Sequence, residues 1–210
     1  MGLFNRHNLD WDDDMLSVIG VDASTMAPVV DYDGLPHDLR LAPNMLRRWP
    51  IMASARIFLG LGDGAAANIG SKCTGGGRIA VTIGTSAALR AVVPRCAVGP
   101  SVPLGLWCYA LDAEHSLVGG ALTDGGSVYQ WLERVLVSGD GHDGGREIGE
   151  DSEDNDLVVL PFFGGERSPG WNDGARCTIH GVSRGTTAGD IRRACLESIV
   201  LRLGAIFALV

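Results

Sequence analysis

The apolar positions fall into short runs separated by glycine and proline, with one long exception near the C-terminal end. Residues 12–19 predict a single short helix within an otherwise loop-rich and acidic first fifty residues. Pro28, Pro36, Pro43 and Pro50 punctuate the stretch after it and limit helix length there, because proline lacks an N–H and clashes with the preceding turn. Residues 55–61 read as a short buried strand, followed by a turn at Gly62-Asp63-Gly64 and a helix opening over 65–71. Apolar strands at 78–83 and onward through Val93 flank Gly84-Thr85-Ser86, which predicts a hairpin. Further along, residues 116–118 predict a strand and 126–137 a helix. Residues 157–160 predict a buried strand that leads into a turn at 161–165. Thr187 and Asp190 have capping-box spacing, the hydroxyl accepting from the backbone and the carboxylate reaching back. The helix they open, over 191–210, is apolar on more than one face, as a helix inside a larger body is.

Composition narrows the class. Of 210 residues, 46% are hydrophobic and 20% charged, enough to bury a sizeable core and to exclude long-range disorder. Glycine supplies 30 positions, roughly twice its usual share. The net charge is −8 and the seventeen basic residues are scattered, which argues against a nucleic-acid groove or an anionic membrane surface. Residues 139–156 hold eight acids against one arginine and read as a solvated surface loop. The five cysteines form no C-x-x-C pair, so buried free thiols are expected rather than disulfides or a zinc knuckle. No secretory signal and no run of eighteen apolar residues is visible, and a soluble, cytoplasmic chain is expected.

Three glycine turns each follow an apolar strand: Gly62-Asp63-Gly64, Gly84-Thr85-Ser86 and Gly125-Gly126. Glycine lets backbone N–H groups approach an anion, and a following helix adds a positive dipole. Three such turns suit a phosphate-binding cleft, while plain turn chemistry accounts for any one of them. Gly60, Gly62 and Ala65 fit the spacing of a dinucleotide fingerprint, but no acid ends the second strand and Asp63 would repel a pyrophosphate. Asp63 itself, between a strand and a helix, is either a turn or capping residue or a general base that takes a proton from an attacking hydroxyl.

The run LGLGDGAAANIGSKCTGGGRIAVTIGTSAALRAVV resembles the core of the FGGY family of carbohydrate kinases, especially its gluconokinase-like members. Three further stretches agree in the same order: GLFNRHNLDWDDDML before it, and GGALTDGGSVYQWLERVL and LPFFGGERSPGWNDGARCTIHGVSRGTTAGDIRRACLESIVLRL after it. The resemblance implies an α/β, actin-like ATPase (RNase H-like) fold with ATP and sugar between two domains. Residues 1–70 would be the tail of the N-terminal domain and residues 71–210 most of the C-terminal one. The resemblance makes Asp63 the catalytic base and places Gly84 and Thr85 at the ATP phosphates, with Gly126 and Gln130 beside the nucleotide. It implies ATP and Mg²⁺ as cofactors and a small sugar, sugar acid or polyol as partner, and it leaves homo-oligomerisation open.

Two departures stand out. Gly64 occupies a position where glycerol and xylulose kinases usually carry Gln or Asn. The family's opening Asp-x-Gly-Thr phosphate loop and its adenine-binding glycine motif are not among these residues. A partial chain, inactive on its own and exposing apolar surface, is therefore expected. A truncated pseudo-kinase serving as an interaction or regulatory module is the alternative.

Overall fold

The computed structural model describes residues 2–31, 41–75, 77–136 and 156–210. Its centre is an antiparallel four-stranded sheet formed by β3 (Ile79–Ile83), β4 (Ala87–Pro94), β5 (Trp107–Ala110) and β6 (His115–Leu122), in the order β3-β4-β6-β5. The β3–β4 hairpin forms around Gly84-Thr85-Ser86 as expected, with Ile83 opposite Ala87. Ahead of the sheet lie a small ribbon of β1 (Phe4–Asn5) with β2 (Asp10–Trp11), then α1 (Asp13–Ile19), α2 (Pro43–Arg48) and α3 (Asp63–Gly70). After it come α4 (Gly126–Val135), a ribbon of β7 (Val158–Leu160) with β8 (Thr178–His180), and α5 (Ala188–Phe207).

Alternation along β4 and β6 gives the sheet two differently covered faces. Ala87, Leu89, Val118 and Leu122 meet Val128 and Leu132 of α4 and Cys195, Ile199, Leu203 and Ile206 of α5 in the main core. Val128 and Leu132 are fully buried, each worth about 1.5–3 kcal/mol. The other face carries α3, whose Ala65 packs with Val92 and Leu117.

The Thr187–Asp190 capping box is present in both directions, and α5 begins at Ala188, three residues ahead of the expected start. Its buried stripe runs through Ala194, Cys195, Ser198, Ile199, Leu203 and Ile206, while Val200, Leu201 and Phe207 are exposed. The helix is thus apolar on two sides with one of them open.

Several expectations need correction. Residues 55–61 form no strand, and Phe58 there is 78% exposed. The physical reason is that no strand among the described residues lies alongside to satisfy that backbone. Helix α3 starts two residues early, making Asp63 its first residue. Strand β6 runs four residues past the expected Val118, through Gly119 and Gly120. A Cβ at Gly119 would collide with the Leu89 carbonyl, and one at Gly120 would lie 2.8 Å from Ile206, so close packing requires these glycines. All five cysteines are free as expected, but only Cys195 is buried and Cys96 is exposed. Of residues 139–156, only Asp156 lies within the described residues.

Candidate functional site

Helix α3 is held on its sheet face by more than Ala65. The wholly buried Asn68 donates from Nδ2 to the backbone carbonyl of Arg90 (3.3 Å) and to that of Cys73 (3.2 Å). Gly62 caps the helix and Asp63 opens it, where a carboxylate is favoured by the helix dipole. Asp63 is exposed, and its Oδ1 accepts from the N–H of Gly64 (2.6 Å).

Beside it stands Arg90, half-buried in mid-strand on β4. Its Nη1 donates to the Thr82 hydroxyl across the β3–β4 ladder (3.0 Å). Its Nε lies 3.0 Å from where a Cβ on residue 64 would be, so glycine at that position clears room for the guanidinium. Arg90, Gly119 and Trp107 occupy one cross-strand row. The Trp107 ring reaches across the space that a side chain at 119 would fill, 3.0 Å from its Cβ position. Two residues on, Tyr109 stacks on Trp107 with centroids 4.6 Å apart and planes 7° from parallel.

Burial pushes the Tyr109 hydroxyl above its ordinary range, Arg90 and Arg167 pull it back, and Asp63 raises it further. Arg167 comes from the turn-rich segment after β7. Ser168 pins that segment, donating from its N–H to the Ala121 carbonyl (2.9 Å) and accepting from the Ala121 N–H at its Oγ (3.1 Å). A Glu166–Arg202 ion pair anchors it to α5. Arg167 itself is exposed.

The second group of expected residues lies at the sheet's end. The Gly84–Ser86 turn and the start of α4 are knitted together, the N–H of Gly126 donating to the Gly84 carbonyl (2.7 Å) and that of Ser127 to the Thr85 carbonyl (3.2 Å). A Cβ on Gly125 would sit 2.7 Å from the Ser86 backbone, and one on Gly126 would sit 2.8 Å from the Gly84 carbonyl. These glycines thus serve turn-against-turn packing, and the first N–H groups of α4 are already engaged. Thr85 remains exposed on the turn. Gln130, also exposed, lies one turn beyond Gly126, away from the buried Val128 and Leu132.

The structure therefore brings Gly84, Thr85 and Gly126 together and puts Gln130 on the same helix. Asp63 sits in the separate Arg90–Tyr109 cluster. The link between the groups is β3, whose Thr82 bonds Arg90 two residues before Gly84.

Sequence reasoning missed Arg90, Tyr109, Arg167 and Asp124. A lone arginine within the apolar run Ala87–Pro94 was a legible signal, because charges are rarely placed in buried strands without a role or a partner. Asp124 is buried just before α4, and its Oδ2 accepts from the Gly164 N–H (3.2 Å). Burial raises its carboxyl above the ordinary range, and hydrogen bonds from the Gly164 and Phe163 backbone partly offset that. Among the described residues no three acidic, histidine or cysteine side chains converge to hold a metal, and no helix is long and apolar enough to cross a membrane.

The sequence model of the FGGY family of carbohydrate kinases, C-terminal domain, matches residues 79–208. The chain is 26% identical over 220 residues to the gluconokinase of Bacillus licheniformis, covering 99% of this chain and 42% of that protein. It is 32% identical over 205 residues to the glycerol kinase of Koribacter versatilis, covering 96% of this chain and 40% of that protein. Among solved structures, gluconate kinase from Lactobacillus acidophilus matches with a TM-score of 0.83 at 25% identity, over 99% of this chain and 42% of that one. Plasmodium falciparum glycerol kinase, solved with ADP, shares the fold at a TM-score of 0.79 and 23% identity, over 99% of this chain and 41% of that one. The chain thus spans about two fifths of the length of the curated relatives it matches. Its architecture is the α/β, actin-like ATPase one that the motifs imply.

Proposed function

The chain belongs to the FGGY family of carbohydrate kinases, and from that membership we propose that the protein carrying it transfers a phosphoryl group from ATP to a hydroxyl of a sugar, sugar acid or polyol. The observation that carries this reading is Asp63, an exposed carboxylate fixed at the start of α3 on the same sheet whose end holds the Gly84–Gly126 turns.

In this reading Asp63 accepts the proton of the attacking hydroxyl, and its first-turn position keeps the carboxylate aimed off the helix end. Thr85, with its exposed hydroxyl, and the N–H groups of its turn face the ATP phosphates. Gly84 and Gly126 act chiefly by letting the two turns meet, and Gln130 lies on the exposed face of α4 toward the nucleotide. Mg²⁺ would arrive with the triphosphate and neutralise charge there, since the described residues build no cage of their own. Residues 1–70 then close one domain and residues 71–210 form part of the next, with α3 as the element that packs on the four-stranded sheet. A cytoplasmic setting goes with this reading.

Phosphoryl transfer depends on positioning both reactants in a closed cleft. The 210 residues alone are therefore expected to give no acceptor-dependent ATP turnover. The test is ADP formation by the full-length protein with ATP, Mg²⁺ and gluconate, glycerol or xylulose in turn. Stimulation by any of the three supports the assignment, and no stimulation by any of them overturns it.

A further inference from the structure

We propose that Asp124 is a positioning residue for the nucleotide: by holding the Phe163–Gly164 turn against the start of α4, it sets where Gly126 and Gln130 stand relative to Thr85. The proposal rests on the kinase reading above and deepens it, since those three residues meet the nucleotide only in that reading.

Helix α4 begins without the usual device. A helix start is ordinarily fixed by an N-cap side chain that accepts from the first turn. Here the N-cap is Gly125, which has no side chain to do so. The N–H groups of Gly126 and Ser127 reach back instead to the carbonyls of Gly84 and Thr85. The seating of α4 on that turn therefore depends on how the chain leaves β6, and only Thr123 and Asp124 lie between Leu122 and the capping glycine.

Asp124 holds this link from behind. It is only 6% exposed, and Arg202, which lines the same small cavity, is committed to Glu166. A buried carboxylate is costly unless hydrogen-bond donors surround it. Its donors are main-chain N–H groups of one turn: Oδ2 accepts from Gly164 (3.2 Å), and the Phe163 backbone adds to this. An apolar side chain would avoid the cost of burying an acid, but it could not accept from the turn.

The turn also presses on α4 elsewhere. A Cβ on Gly164 would lie 2.6 Å from the Thr123 methyl carbon, so the turn and the link are in close contact. The Phe163 ring packs on Trp131 of α4, with centroids 4.8 Å apart. One turn thus braces α4 at both ends of the stretch that contains Gly126 and Gln130, by a hydrogen bond at Asp124 and by an aromatic contact at Trp131.

The experiment measures calorimetric affinity for ADP and the KM for ATP in the full-length protein and its Asp124→Ala, Asp124→Leu and Asp124→Asn variants. Leu132→Ala is the control for a loosened helix, because it destabilises α4 from the core side. Alanine and leucine leave the Gly164 N–H without its acceptor, and each should weaken ADP binding and raise the KM for ATP about fivefold or more. The acceptor KM and kcat at saturating ATP should stay near wild type. Asparagine keeps a carbonyl oxygen for the Gly164 N–H and should recover most of the affinity. Leucine fills the space of the carboxylate, so it carries the comparison where alanine does not fold. ADP affinity unchanged in the alanine or leucine variant overturns the proposal. So does an equal loss in Leu132→Ala, or an asparagine variant as weak as the alanine one. If wild type binds ADP but turns over none of gluconate, glycerol and xylulose, the kinase reading fails alone, and the ADP affinities still decide the role of Asp124. If wild type binds no ADP, both fail.

Discussion

On one face of the four-stranded sheet, Leu89, Val118 and Leu122 press against α4 and α5 in the main apolar core. The opposite face of the same sheet carries Thr82, Arg90, Trp107 and Tyr109, together with a single short helix that begins with an aspartate. The period-two alternation of side chains lets one set of strands serve both purposes. Stability is concentrated where α4 and α5 bury Val128, Leu132, Cys195 and Ile206. The proposed chemistry lies on the face where the cover is thin. The comparison teaches that substitutions on the two faces should separate cleanly, one set changing the folding equilibrium and the other changing rates.

The largest separation is expected for Asp63→Asn. Removing the proposed base should lower kcat by about 10²–10⁴, while calorimetric ATP affinity and melting temperature stay close to wild type, because among the described residues the exposed carboxylate bonds only its neighbour's N–H. Near-normal turnover at saturating acceptor would remove Asp63 from its role. On the opposite face, Leu132→Ala should cost about 2–5 kcal/mol in denaturant unfolding, with the acceptor kcat/KM of the folded enzyme unmoved. A large change in that value would mean the faces are not independent.

Gly125→Ala probes the seam between them. Its Cβ would strike the Ser86 backbone, so a stability loss of about 1–3 kcal/mol should come together with a higher KM for ATP. Stability loss with no change in that KM would place the nucleotide elsewhere.

The smallest effect concerns Asp124. Its folded-state pKa is raised by burial, so the folded chain holds that proton more tightly than the unfolded chain does. The stabilisation linked to this proton is complete below the unfolded pKa and is lost as pH rises through the folded one. Asp124→Asn removes that loss. Its urea midpoint relative to wild type should rise as pH goes from strongly acidic to neutral, and a flat difference would contradict the burial argument.

The parts of the fold that were legible in the sequence are those governed by local rules. The capping box at Thr187 and Asp190 satisfies orphan N–H groups within one turn of chain, so its spacing shows that a helix opens there, although the first helical residue lies three positions before the expected Ile191. The Gly84-Thr85-Ser86 hairpin is local in the same sense. Strand β5 escaped notice because Trp107–Ala110 is short and becomes a strand only through its partner, β6. Residues 55–61 failed in the opposite direction: they have the apolar character of a strand, but no partner strand is present among the described residues.

The candidate site divides along the same line. Asp63, Gly84 and Thr85 stand at turns that a sequence displays. Arg167 reaches its place through a loop bonded to a residue 47 positions away, and Tyr109 through stacking on an edge strand. Neither leaves a periodic trace.

The bond from Asn68 to the carbonyl of residue 90 fastens α3 to the main chain of β4 and leaves the side chain at 90 out of the joint. Helix α3 and the strand beneath it are therefore registered to each other whatever residue occupies position 90. A lineage built on this arrangement can exchange that one side chain without unseating the helix that carries Asp63, with a single buried amide as the fastener between them.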